Sequence, residues 1–287
     1  MNNKCFQKFD ELLRDLSNIK PDVDGQILCP LCLKGFGRAA IDSRELTEEH
    51  IIPQAVGGRD ITLTCRECNN DDGSWLDSQL VRKLETDNAL RGYGPIPTDI
   101  YIAGHKMTAE VEWGREVEDT NVIRVICRRS NPRSVEAAKQ ALLGGEKKMD
   151  LKMKFGYVMN RFRLGLVRIA YLSMFDCFGY RYILSESVEN VRRLIRLREC
   201  HTGLLARMMI DISNTVGNFQ SPLIIPVEDL TKDTFYIVAI RLAYRNISYI
   251  HGVIMPAAIP NAENVYDELE ILSRQSPGFK MTVKLPS

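Results

Sequence analysis

Long apolar runs are missing from this chain. No stretch of about 18 uncharged apolar residues occurs, so no helix is expected to span a membrane. The most apolar tract, residues 157–178, is interrupted by Arg161, Arg163 and Arg168. The opening residues, MNNKCFQKFDELLRDL, mix both charge signs and lack the apolar centre of a signal peptide. A cytoplasmic location without membrane contact is therefore expected. Histidine is scarce, with four in 287 residues, and the net charge is only +1. The Gly-Gly steps at 57–58 and 144–145 have no Lys-Ser/Thr after them, which excludes a phosphate-binding loop of the nucleotide-hydrolase kind. Internal repeats and low-complexity tracts are also absent.

Apolar residues make up 45% of the chain and charged residues 26%, enough to build a packed core. Eight cysteines are present. In a chain expected inside the cell they point to metal binding more than to disulfides. Four form two pairs, Cys29-Pro-Leu-Cys32 and Cys65-Arg-Glu-Cys68, separated by 32 residues. Each pair bends the backbone so that two sulfurs face one point, and two such knuckles make a closed tetrahedral zinc site. Residues 26–73 hold too few apolar side chains to close by burial, so the ion would supply folding energy. Cys5, Cys127, Cys177 and Cys200 are scattered and read as small buried apolar groups.

Charge is uneven along the chain. Twelve Lys/Arg face three Asp/Glu between Arg124 and Arg168, whereas residues 41–60 carry five acidic and two basic side chains. A basic stripe beside an acidic pocket suits a polyanion held against a cation. Arg124, Arg128, Arg129, Arg133, Lys147, Lys148, Lys152 and Lys154 are the candidates for nucleic-acid backbone contacts.

Periodicity predicts a helix over residues 3–18, with Phe6, Phe9, Leu12, Leu13 and Leu16 on one side. Two short strands, entering His50 and covering 61–64, are joined by the Gly57-Gly58-Arg59-Asp60 turn. The chain turns helical after Cys65 and stays so to about Arg91. Gly92-Tyr93-Gly94-Pro95-Ile96-Pro97 is a break, giving an expected division into residues 1–91 and 92–287. Beyond it the patterns predict strands at 100–114 and 121–128, a basic helix at 132–143 and a helix at 155–178 read as core. Helices at 187–199 and 201–211 follow, then a hairpin of 234–244 and 247–255, a helix at 262–275 and a strand at 279–285. Mixing without βαβ regularity indicates an α+β fold.

The string EHIIPQAVGG…LTCRECNN resembles the HNH endonuclease family, in the branch with paired CxxC knuckles. It covers about residues 27–75. The resemblance implies a small zinc-stapled ββα-metal nuclease domain, followed here by a larger α+β domain. It assigns His50 as the general base, Glu49 and Asn69 as ligands of a catalytic divalent cation, and Asp60 to the position that pins the loop holding the base. Glu49 stands where Asp is more usual, Asp60 where the family has Asn, and Asp72 where Lys is frequent; Asn70 doubles Asn69.

Oxygen ligands suit Mg²⁺ or Mn²⁺, and an imidazole titrating near about 6.5 can accept a proton from water at neutral pH. The implied reaction is phosphodiester hydrolysis leaving 5′-phosphate and 3′-hydroxyl ends. Duplex DNA is the expected substrate, since most similar proteins cut it. Bacterial proteins with this motif often act in restriction or phage defence, so a homo-oligomer or a defence-system partner protein is expected. Two rival readings are a non-catalytic zinc module that binds nucleic acid or protein, and an RNase using the same site.

Overall fold

The amphipathic N-terminal stretch folds as α1 (Asn3–Ile19), burying Phe9, Leu12 and Leu16. The computed structural model describes residues 3–115, 121–127, 131–198, 202–212, 219–228, 234–245 and 247–258. The expected C-terminal helix at 262–275 and strand at 279–285 lie outside them, as do Cys200 and His201. None of the described helices is long and apolar enough to cross a membrane.

Two compact units divide the chain. The first comprises residues 1–80, 158–243 and 248–287; the second comprises 81–157 and 244–247. This differs from the expected division near Gly92. The first unit is discontinuous because residues after 158 pack into it.

In the first unit, β1 (Gln26–Leu28) pairs antiparallel with β2 (Gly35–Gly37) around the first cysteine knuckle, and α2 (Ala39–Asp42) follows. Then β3 (Leu46–His50) pairs antiparallel with β4 (Ile61–Cys65), and α3 (Arg66–Asp72) packs on that hairpin. The expected strands and helix therefore form. Their connection depends on two glycines. Gly57 has φ +97°, a left-handed conformation that glycine adopts without strain. At Gly58 a Cβ would sit 1.6 Å from the Ile52 carbonyl oxygen.

Residues 73–77 wind as a single π-helical turn, and α4 (Ser78–Leu90) continues from it. Such turns occur often at functional sites.

The second unit is an antiparallel sheet in the order β7-β6-β5-β8, built from β5 (Ile96–Ile102), β6 (His105–Arg115), β7 (Asn121–Cys127) and β8 (Met149–Met153). The stretch expected to run from 100 to 114 is broken at Ala103-Gly104, both at positive φ, which makes a hairpin. Helix α5 (Pro132–Leu143) has the predicted bounds: Asn131 caps it through the Arg133 amide, and Pro132 opens it. Its Ala138 packs on Ile100, Ile102, Met107 and Ala109.

The first unit resumes with α6 (Met159–Phe178), buried on every side from Leu164 to Phe175. The expectation that this tract is core, not a base-stacking surface, agrees with the burial of residues 164–175; the helix begins at Met159 and not at 155, and Phe155, Met159 and Phe178 are exposed. Around it lie α7 (Tyr180–Ile183), α8 (Glu186–Arg196) and α9 (Thr202–Arg207). A sheet in the order β10-β11-β12-β9 completes the unit, with β9 (Met209–Ile210), β10 (Leu223–Glu228), β11 (Thr234–Tyr244) and β12 (Ile247–Pro256).

Tyrosines tie these later helices to the knuckle. The Tyr171 hydroxyl donates to Pro30 O at 2.7 Å, and the Tyr180 hydroxyl donates to Leu28 O at 2.6 Å and accepts from Leu28 N at 3.0 Å.

Candidate active site

The sulfurs of Cys29, Cys32, Cys65 and Cys68 all lie within 4.8 Å of one another. Cys32 and Cys65 are 3.7 Å apart. A tetrahedral ion with Zn–S bonds of about 2.3 Å separates its sulfurs by roughly 3.8 Å, so the cluster fits one zinc.

Local backbone geometry brings the sulfurs together. The Cys29 amide donates to Lys34 O, the Leu33 amide donates to Cys29 O, and Leu33 takes a φ of +58° to close the loop. Cys65 ends β4 and Cys68 lies one turn into α3.

The four thiols hydrogen-bond to one another. Hydrogen bonds with Cys32, Cys65 and Cys68 push the Cys29 thiol far up, while hydrogen bonding from Cys29 brings Cys65 down from 9.0 to about 7 and holds Cys32 lower still.

The hairpin beside the cluster carries His50. Register pairs Glu49 with Thr62 and His50 with Ile61, and the Ile51 amide donates to Asp60 O at 3.0 Å just past the ladder. Asp60 thus holds the turn through its main chain, and its side chain is exposed. Strand alternation places Glu48 and His50 on one face, Thr47 and Glu49 on the other.

His50 Nε2 is 4.0 Å from Glu48 Oε1, and its Nδ1 is buried with no hydrogen-bond partner. Asn69 lies on the Thr47 side. Its Nδ2 donates to Thr47 Oγ1 at 3.0 Å and to Glu48 O at 2.9 Å, pinning α3 to β3. Its amide oxygen takes no part in these two bonds.

Glu49 departs from expectation. Its carboxylate is turned inward, 3% exposed, with Oε1 2.6 Å from Arg168 Nη2. Arg168 is itself fully buried on α6, and its Nη1 also reaches Asp77 Oδ1 at 3.4 Å. The carboxylate beside the imidazole is therefore that of Glu48. Among the described residues, the cysteine quartet is the group of three or more His, Cys, Asp or Glu placed to hold a metal. Glu49 and Asn69 share a strand face, and His50 occupies the opposite one.

Arg168 and Asp77 went unrecognised in the sequence. An arginine inside an apolar helical tract was the available signal, since arginine is almost never fully buried unless paired.

The basic stripe divides differently. All its described members belong to the second unit, and His50 belongs to the first. Lys154 binds Asp99 at 2.7 Å, Arg124 approaches Glu112 at 3.7 Å and Lys148 approaches Asp150 at 3.6 Å. Arg133, Lys147 and Lys152 are exposed. Arg128 and Arg129 lie outside the described residues. Within the first unit, Arg161 and Arg198 stack on Trp75 at 4.8 and 5.2 Å.

No curated protein and no solved structure matches the chain. A protein-family comparison does match: the model described as HNH endonuclease aligns with residues 26–85, which span both knuckles, the β3–β4 hairpin and α3. Residues 26–85 of this chain are therefore similar to the HNH endonuclease family.

Proposed function

We propose that the protein is a metal-dependent endonuclease that hydrolyses phosphodiester bonds in duplex DNA, stapled by one zinc ion at Cys29, Cys32, Cys65 and Cys68. The observation that carries this reading is the Asn69 amide bonded to the strand that ends in His50, directly beside the four-sulfur cluster. In this reading His50 takes a proton from the attacking water, and its neighbour Glu48 favours the imidazolium that results. Glu49 and the amide oxygen of Asn69 would hold Mg²⁺ or Mn²⁺. A divalent cation at such a site stabilises the negative charge that grows on the phosphate. Asp60 keeps the turn after β3 in place through its carbonyl oxygen. The exposed side chains of Arg133, Lys147 and Lys152 offer sequence-independent contacts to a phosphate backbone. A role in restriction or phage defence, in the cytoplasm and with a homo-oligomeric or defence-system partner, belongs to the same proposal.

The test incubates purified protein with supercoiled plasmid, linear duplex, single strands and RNA, with Mg²⁺ or Mn²⁺, beside His50→Ala. Cleavage of the DNA substrates that needs the cation and His50 supports the proposal. RNA cleavage alone assigns the site to an RNase, and binding without cleavage leaves a non-catalytic zinc module.

A further inference from the structure

Arginine in the middle of a fully buried helical stretch needs a reason. Arg168 sits 119 residues beyond Glu49 in sequence, on α6, and its side chain is 1% exposed. It spans two carboxylates: Glu49 on the motif strand and Asp77 on the π-helical turn that follows α3. Packing alone does not call for this. A well-packed apolar pair of similar volume is often at least as stable as a buried ion pair. A guanidinium can do what an apolar side chain cannot, which is to offset the lost hydration of a carboxylate and hold its oxygen at one angle. Both carboxylates belong to elements that frame the candidate cation site, and Glu49 shares its strand face with Thr47, the partner of Asn69.

We propose that Arg168 is a positioning residue for the nuclease centre: it fixes the Glu49 carboxylate, and through Asp77 the turn after α3, in the orientation that receives the divalent cation. This rests on Glu49 being a cation ligand. The proposal makes α6 part of the active-site wall, although the family match ends at residue 85. It also accounts for the inward turn of Glu49, whose Oε1 is held before any cation arrives.

The test measures Mn²⁺ binding to the full chain by the electron paramagnetic resonance signal of free Mn²⁺, together with plasmid cleavage across a Mn²⁺ titration. Lysine keeps the charge of Arg168 and loses the two-pronged geometry. Partners of metal ligands typically change metal affinity about 10- to 100-fold when altered, and Arg168→Lys is expected to weaken Mn²⁺ binding within that range. Its half-saturating Mn²⁺ for cleavage should rise in parallel, while turnover at saturating Mn²⁺ falls less than the affinity does. Unchanged Mn²⁺ affinity with only a lower melting temperature overturns the proposal, because a purely structural pair would behave that way.

Glu49→Gln separates this from the parent reading. If Glu49→Gln also binds Mn²⁺ at full affinity, Glu49 is not a ligand and both readings fall; a loss in Glu48→Gln would then identify the exposed neighbour as the ligand. If Glu49→Gln weakens binding and Arg168→Lys does not, only the positioning role is lost. Should Arg168→Lys not fold, Asp77→Asn carries the same test: it leaves Arg168 in place and removes the charge of one carboxylate partner. Weaker Mn²⁺ binding supports the proposal, and unchanged binding overturns it.

Discussion

Each compact unit buries a charged group, and the two do so in opposite ways. In the first, Arg168 and Glu49 are both sealed from water, with side-chain exposures of 1% and 4%. In the second, Asp99 is 6% exposed, but its partners Lys154 and Lys106 are 50% and 56% exposed. Lysine stems reach from solvent and bring hydrated ammonium groups to the carboxylate, so losing one costs little. Arg168 has no such route, so removing it takes a guanidinium away from a buried carboxylate. The contrast separates an ionic contact that decorates a sheet from one on which the architecture of a site depends.

Breaking the frame around the first cluster should have the largest effect. Cys65→Ser removes one of four sulfur ligands, and zinc binding of this kind supplies about 10–16 kcal/mol in isolated zinc modules. Loss of bound zinc and of the cooperative melting transition is expected, measured by metal analysis and circular dichroism; a folded, zinc-free, active mutant contradicts the structural role.

Arg168→Met comes next, with an expected loss of about 3–5 kcal/mol because a buried carboxylate loses its guanidinium. Denaturant unfolding checks this, and a loss below about 1 kcal/mol, the level of an exposed pair, would erase the difference between the two clusters. His50→Ala should leave folding and zinc content intact while plasmid cleavage falls about 10²- to 10⁴-fold, the usual contribution of a general base.

Lys154→Ala should lower the thermal midpoint only slightly at neutral pH, since Lys106 still serves Asp99. The hydrogen bond from Lys154, with a second from Lys106, holds the Asp99 carboxyl below its ordinary 3.8. A depressed carboxyl stabilises the fold above the ordinary value, and that contribution is lost as pH falls below 3.8 through the folded-state value. The Lys154→Ala and wild-type melting curves should therefore converge further in strong acid. Divergence on acidification would contradict the assignment.

Much of the site was legible along the chain because its signals are local. Knuckle spacing, the β3–β4 hairpin around Gly57-Gly58 and the turn to helix at Arg66 depend on neighbours a few residues apart. So do the α5 bounds, set by Asn131, Pro132 and Gly144. Misses came where local signals were weak. The Ala103-Gly104 hairpin lacks an Asn-Gly or Asp-Gly pair, and β8 is a short, largely exposed edge strand. The four-residue helix α7 and strand β10, which carries Pro226, also went unread. The adjacency of Glu49 and His50 suggested a shared pocket. Two-residue alternation along β3 instead divides them between faces.

By itself, the amino-acid sequence determined that four sulfurs would gather, that an imidazole would end a short strand beside them, and that Asn69 would open the following helix. These features follow from backbone geometry over short separations. Only the tertiary structure decided where the Glu49 carboxylate turns, and that Arg168, Tyr171 and Tyr180 from distant helices pack against the segment similar to the HNH family. Partner choice among buried charges depends on which surfaces meet when the core closes, and no local pattern in the chain encodes that meeting.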